Sequence, residues 1–150
     1  MSTVTTASST LTGIDPRGPR VAASLTSVVL ALVLLTPSPI AAVLLALQGA
    51  VFAGGAARGV QHTPYAVLFR RVVRPRLGPP SDLEDPRPPR FAQAVGLVFA
   101  VAGVAGFVAG SLVLAYLATG LALVAALLNA TVGLCLGCEM YLILRRATTR

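Results

Sequence analysis

The basic residues of this chain are all arginine, at positions 17, 20, 58, 70, 71, 74, 76, 87, 90, 145, 146 and 150, and the apolar segments between these clusters carry no positive charge. A helix that crosses a bilayer needs about 20 predominantly apolar residues, because only a helix satisfies every backbone polar group inside hydrocarbon. Four runs approach or exceed that length, at about 20–36, 39–57, 91–110 and 112–144. The pattern predicts an all-α membrane protein with four transmembrane helices. Composition agrees, since 55% of the 150 residues are hydrophobic and 11% are charged, about half the share in a soluble domain.

The first two runs meet at "TPSP", residues 36–39, where two prolines predict a tight turn and a helical hairpin. Arg17 and Arg20 ahead of a short apolar stretch also resemble a signal peptide, but cleavage near Ala41 would take a packing partner from the remaining helices. In the third run, Gly96, Gly103, Gly106 and Gly110 form a small-residue stripe that favours close helix contact. The fourth run is too long for one perpendicular helix. It must tilt, protrude or break, and Gly120, Asn129, Gly133 and Gly137 are the candidate break points. Excess positive charge marks the cytoplasmic side, so the arginines place both termini in the cytoplasm. The net charge of +7 is explained by this topology signal and does not indicate nucleic acid. Residues 1–13 are expected to form a flexible tail, 14–146 a single membrane domain and 147–150 a short C-terminal tail.

The hydrophilic interval from Arg58 to Arg90 has two parts. Thr63 can cap a helix that opens on Pro64, with Tyr65, Leu68, Phe69, Val72 and Val73 at helical spacing and Arg70, Arg71 and Arg74 on the other face. This amphipathic helix fits either the lipid headgroup layer or its own bundle. Arg70, Arg71, Arg74 and Arg76 are its candidate membrane-surface or partner-binding residues. The following "RPRLGPPSDLEDPRPPR" holds six of the eleven prolines and three of the five acids, which predicts an extended strap. Its Asp82, Glu84 and Asp85 are expected to be solvated.

The only two cysteines lie three residues apart near the end of the last run, in "NATVGLCLGCEMYLILRR" at 129–146. On a continuous helix Cys135, Cys138 and Glu139 share a face with Thr131, and Cys138 lies about 10 Å from the level of Arg145. Two cysteines at this spacing can join each other or grip one metal ion. A thiolate suited to disulfide exchange is favoured by a helix N-terminus or a cation, and disfavoured by apolar burial. Glu139 would be an ionisable group inside a span, which suggests a proton relay, an ion site or a buried partner such as Arg58, Arg145 or Arg146. Zinc usually takes four ligands and His62 is the only histidine, so a soft ion such as Cu(I) is the better metal candidate. The bland reading is that both cysteines pack as small residues. No phosphate loop, Ser/His/Asp set or pair of carboxylates within a span is present.

"IDPRGPR" at 14–20, "PYAVLFRRVVRPRLGPP" at 64–80, "PPRFAQAVGLVF" at 88–99 and the cysteine segment together resemble an actinobacterial membrane family known only as domain of unknown function 4395. The resemblance covers residues 14–146. It implies four spans in a bacterial cytoplasmic membrane and a CxxCE signature at Cys135, Cys138 and Glu139. It also implies thiol or sulfur chemistry, because members are associated with thioredoxin-like and sulfurtransferase proteins.

The expected function is a thiol redox or sulfur-relay component, a thiol-disulfide oxidoreductase if it is an enzyme. Cys135 and Cys138 would cycle or carry a persulfide, and Glu139 would move protons. A thioredoxin-like or rhodanese-like protein would dock at the arginines, and a quinone in the bilayer is the candidate electron acceptor, although no residue marks its site. The alternative is a noncatalytic scaffold or accessory subunit whose basic face recruits a partner. A homo-oligomer or larger membrane complex is compatible with either.

Overall fold

The computed structural model describes residues 13–149, so nearly all of the expected N-terminal tail lies outside the described residues. Six α-helices follow in order: α1 Arg17–Leu35, α2 Ser38–Arg58, α3 Pro64–Leu68, α4 Arg87–Val108, α5 Leu112–Val132 and α6 Leu136–Thr148. Four of them, α1, α2, α4 and α5, are long and apolar enough to cross a membrane, at 19, 21, 22 and 21 residues. They form a ring in which α1 packs on α2 and α5, and α4 packs on the same two helices. Leu30, Val33, Ala41, Leu45, Phe52, Ala100, Phe107 and Ala115 fill the core. Outside it stand exposed Val28, Leu35, Val43, Leu47, Val98, Val101, Val108, Val113 and Leu117. An apolar girdle of that extent is costly in water and suits lipid.

The glycine stripe of α4 does what small residues do at helix contacts. A Cβ on Gly106 would lie 2.6 Å from the Ala115 nitrogen, and one on Gly103 would lie 2.5 Å from Leu45 Cδ2. Gly96 seats the Phe52 ring, whose nearest atom would be 3.0 Å from an added Cβ. Gly110 instead belongs to the turn between α4 and α5.

The long apolar run is two helices, and this corrects the expectation of one span over 112–144. Gly133 adopts φ 73°, a left-handed conformation that a side chain would strain. Its N–H bonds the Asn129 carbonyl at 3.2 Å, and the Leu134 N–H bonds the Leu128 carbonyl at 3.3 Å, which ends α5. The chain restarts as α6, which packs on the first turns of α4. A Cβ on Gly137 would lie 2.6 Å from both Ala92 Cα and Cβ, and the Tyr141 ring is centred 5.7 Å from that of Phe91. Leu136, Met140, Ile143 and Leu144 of α6 are exposed.

Thr63 caps α3 as its sequence suggests, accepting the Ala66 N–H at 3.2 Å. The helix packs on its own bundle: Phe69 is buried and would contact a Cβ on Gly18 at 3.4 Å, while Leu68 and Val72 remain exposed. After Leu68 the chain widens into a π-type turn over Phe69–Val73 and tightens again over Arg74–Arg76. The ring of Pro75 is incompatible with an ordinary α-turn around the carbonyl four residues earlier, and the irregular turn falls there. The proline strap runs extended, clipped to the start of the described chain by reciprocal hydrogen bonds of 2.9 Å between Ile14 and Glu84. It ends four residues sooner than its proline content suggests. Pro88 and Pro89 sit inside the first turn of α4, where a missing N–H costs nothing.

The two halves of the bundle repeat one device. "DPRGPR" opens α1 and "DPRPPR" opens α4. In each, the aspartate accepts the N–H of the first helical residue, Asp15 from Arg17 at 3.0 Å and Asp85 from Arg87 at 2.9 Å. The final arginine of each motif then reaches across to end the second long helix of the other half. Arg20 donates to the Thr131 carbonyl of α5 at 3.1 Å, and Arg90 donates to the Ala56 and Ala57 carbonyls of α2 at 2.6 and 2.7 Å. A positive-φ glycine follows each of these helices, Gly59 after α2 and Gly133 after α5, and a short capped helix comes next.

Candidate functional site

Cys135 is not inside a span. It is the N-cap of α6, with extended backbone, and its Sγ accepts the Cys138 N–H at 3.3 Å. A helix turn brings Cys138 back over it, so the Cα atoms are 5.2 Å apart and the two sulfurs are joined as a disulfide. The break at Gly133 makes this possible. On an unbroken helix Cys135 would have helical backbone and its sulfur could not cap the turn that contains Cys138. The first N–H groups of α6 point towards Cys135, and that end of a helix carries partial positive charge.

The predicted convergence of Thr131, Cys135, Cys138 and Glu139 on one helical face does not form. Thr131 belongs to α5, where its Oγ1 donates to the Leu127 carbonyl at 2.7 Å. Both cysteines are half-buried, and Glu139 is exposed in the first turn of α6. A carboxylate in that position is favoured by the helix terminus and needs no buried partner. Among the described residues Glu139 makes no ion pair with Arg58, Arg145 or Arg146; the ion pair found there joins Asp15 and Arg17 at 2.9 Å. Among the same residues no three His, Cys, Asp or Glu side chains gather as a metal site, and His62 Nδ1 lies 2.9 Å from the Arg58 carbonyl.

The disulfide borders a cavity of about 930 Å³ at the arginine-rich end of the bundle, between the two halves. Phe52, Gly96, Phe99, Leu121 and Ala125 line its deeper wall, and Ile14, Leu83 and Pro89 lie at the opposite end, where the strap crosses. Its polar lining includes Arg20, Gln61, Tyr65, Gln93 and Asn129. The Tyr65 hydroxyl donates to Gln48 Oε1 at 2.7 Å, and Gln48 Nε2 donates to Thr26 Oγ1 at 3.4 Å, a chain that runs from α3 into the core. Burial pushes the Tyr65 phenol above its usual pKa, so it remains a donor. Gln61 Oε1 and Gln93 Oε1 are buried without a hydrogen-bond partner.

Arg70, Arg71, Arg74 and Arg76 are all exposed. Arg70 donates to the Gln61 carbonyl at 3.2 Å, which steadies the loop beside the cavity. At the other clip, the hydrogen bonds from Arg17 hold the Asp15 carboxyl below its usual pKa, and Arg17 also donates to the Gly78 carbonyl of the strap at 2.9 Å. Arg20 and Arg90 were read from sequence only as topology markers. The repeated DPRxPR motif is the signal that sets them apart, because it puts a long donor at the same place in both halves.

The family model described as Domain of unknown function (DUF4395) matches residues 14–146. No curated protein and no solved structure matches the chain.

Proposed function

Because the chain belongs to the DUF4395 family, defined by sequence and not by activity, its chemistry has to be argued from the site, and we propose that it is a membrane thiol-disulfide or sulfur-relay component acting through Cys135 and Cys138. The observation that carries this reading is the cap: Cys135 Sγ already accepts the N–H of Cys138 at the start of a 13-residue helix. A thiolate formed there is stabilised by the same N–H and by the helix terminus, which is the environment that makes a cysteine exchange-competent. The CxxCE run at 135–139 is then the functional signature of the chain.

In the redox form of the reaction, a thiolate of a thioredoxin-like partner attacks Cys135 Sγ, the Cys135–Cys138 bond breaks, and Cys138 leaves and takes a proton. The second partner thiolate then attacks the partner sulfur of the mixed disulfide and releases Cys135 as the capped thiolate. The partner is oxidised by two electrons and the pair is reduced by two. Glu139, exposed and adjacent to Cys138, passes the proton between solvent and sulfur. In the sulfur-relay form, the Cys135 thiolate takes the outer sulfur of a rhodanese-like partner's persulfide and the partner leaves as a thiolate. The arginine-rich end faces the cytoplasm by the positive-inside rule, so the partner docks beside exposed Arg70, Arg71, Arg74 and Arg76.

The exposed arginines also favour a second reading, a scaffold that recruits a partner while the disulfide only ties down the start of α6. The test is the redox state of the pair in native membranes, trapped with a mass-tagging alkylating reagent before and after a mild oxidant, with Cys135→Ser/Cys138→Ser as control. A reversible disulfide or persulfide supports relay chemistry. A pair that never changes state leaves the scaffold, in which the double serine variant keeps function and charge reversal at Arg70, Arg71 and Arg74 destroys it.

A further inference from the structure

A cysteine pair that cycles needs a second exchange partner besides the protein that docks on it, and the cavity behind the pair has the properties of a site for one. Its volume of about 930 Å³ lies within the roughly 300–1,000 Å³ of small-molecule pockets. It opens between helices that cross the membrane by length and composition, so its ligand is drawn from lipid rather than water. The wall of Phe52, Gly96, Phe99, Leu121 and Ala125 accepts a flat apolar ring and a hydrocarbon tail. A hydrocarbon alone would not explain the polar end. Gln61 Oε1 and Gln93 Oε1 are withdrawn from water with no partner, a costly arrangement that a bound hydrogen-bond donor relieves. Gln93 lies next to Ala92, the residue on which Gly137 of the cysteine loop rests.

Resting on the relay reading, we propose that this cavity binds a lipid-soluble quinone, which exchanges two electrons with Cys135 and Cys138. The amide groups suit both forms of such a ring. The NH₂ of Gln93 donates to a quinone carbonyl, and its Oε1 accepts from a quinol hydroxyl after the amide turns over. In the oxidising direction the two thiols become the Cys135–Cys138 disulfide and give up two electrons and two protons, and the quinone takes both to become the quinol. Atoms and charge balance with no further reactant. An ordinary membrane lipid is the rival occupant, since it would fill the same apolar wall without redox chemistry.

The experiment uses the full chain in nanodiscs, reduced, freed of reductant and kept anaerobic, with decylubiquinone as the probe. Its ring is fully substituted, so it cannot simply add to a thiol. Quinone absorbance and mass-tagged thiols are followed together. The expected result is loss of one quinone for each pair of thiols, slowed about tenfold or more by Ala125→Phe, which overfills the wall, and about tenfold by Gln93→Leu, which removes the amide. Oxidation of the same preparations by glutathione disulfide is the control for folding and for the thiol reading, and it should be unchanged in both variants. If glutathione disulfide oxidises the pair while decylubiquinone does not, or does so equally fast in Ala125→Phe and Gln93→Leu, the quinone site is overturned and the relay reading survives. If neither oxidant changes the thiols, both fall.

Discussion

Replacing Gly137 with alanine separates a glycine that merely loosens a helix from one that permits a contact. On an exposed helix Gly137→Ala would stabilise by about 1 kcal/mol through helix propensity alone. Here the added methyl would stand 2.6 Å from both Cα and Cβ of Ala92. Carbon atoms rest at about 3.5–4.0 Å, so α6 must retreat from α4 by about 1 Å. Overpacking of this kind costs about 1–3 kcal/mol, and the retreat also strains the Phe91–Tyr141 ring pair, worth about 0.5–1.5 kcal/mol. After the propensity gain is subtracted, about 2 kcal/mol is lost from the docking of α6, which raises the population of the undocked helix roughly 30-fold. Because α6 packs chiefly on α4 and lies outside the ring, the four long helices should keep their stability. Amide hydrogen exchange read by mass spectrometry in nanodiscs should show faster exchange confined to peptides covering 136–148, and alkylation of the reduced cysteines should accelerate with it. Ala92→Gly in the same chain makes room for the methyl and should restore protection. Slower exchange in Gly137→Ala, or a double variant no better than the single one, would refute the close approach and with it the account of how the cysteine loop is held.

Arg90→Ala removes two hydrogen bonds to the end of α2 and Arg20→Ala removes one to the end of α5, so both should lower resistance to unfolding by detergent titration. At about 1 kcal/mol per bond the Arg90 variant should lose more. Tyr65→Phe leaves Gln48 Oε1 buried without its donor, at a cost of about 1–3 kcal/mol in the same titration, and Gln48→Leu combined with Tyr65→Phe should recover part of it. Asp15 has a folded-state pKa below its ordinary 3.8, so its contribution is present above that value and is lost as pH falls through the lower, folded one. Exchange at the Ile14 and Glu84 amides, corrected for intrinsic rates, should therefore gain an opening component below about pH 4 that Asp15→Asn already shows at neutral pH.

The four spans were legible because bilayer thickness leaves few ways to use long uncharged runs, and the arginine clusters marked their ends. The cap at Thr63 and Pro64 was legible for a similar reason, being local chemistry. The break in the last run was legible only as a set of candidates. Gly133 ends the helix because the Asn129 and Leu128 carbonyls are met by N–H groups that only a left-handed residue can present, while Gly137, equally plausible by composition, stays helical because its missing Cβ lets Ala92 approach. Sequence spacing treats the two glycines alike; tertiary contact separates them. The same shift of register moved Glu139 from an imagined interior to an exposed first turn. The cavity could not be read at all, since its walls are ordinary apolar residues brought together from α1 through α6.

The repeat gives the site an internal comparison. In the first half, the helix after α2 begins at Thr63, whose Oγ1 accepts the Ala66 N–H. In the second half, the helix after α5 begins at Cys135, whose Sγ accepts the Cys138 N–H. Both caps stand three residues before their donors, after a positive-φ glycine, at the same end of the bundle. For capping alone, a hydroxyl is the better acceptor, and serine or threonine would serve the second half as threonine serves the first. Sulfur is the poorer cap, and its presence with a second cysteine at the donor position makes sense when the acceptor must also form and break a bond. The first half shows what this architecture requires for folding, and the second differs from it at the two residues where relay chemistry needs sulfur. Cys135→Thr with Cys138→Ala, which copies the first half, should therefore keep α6 docked and protected from exchange while abolishing any thiol trapping.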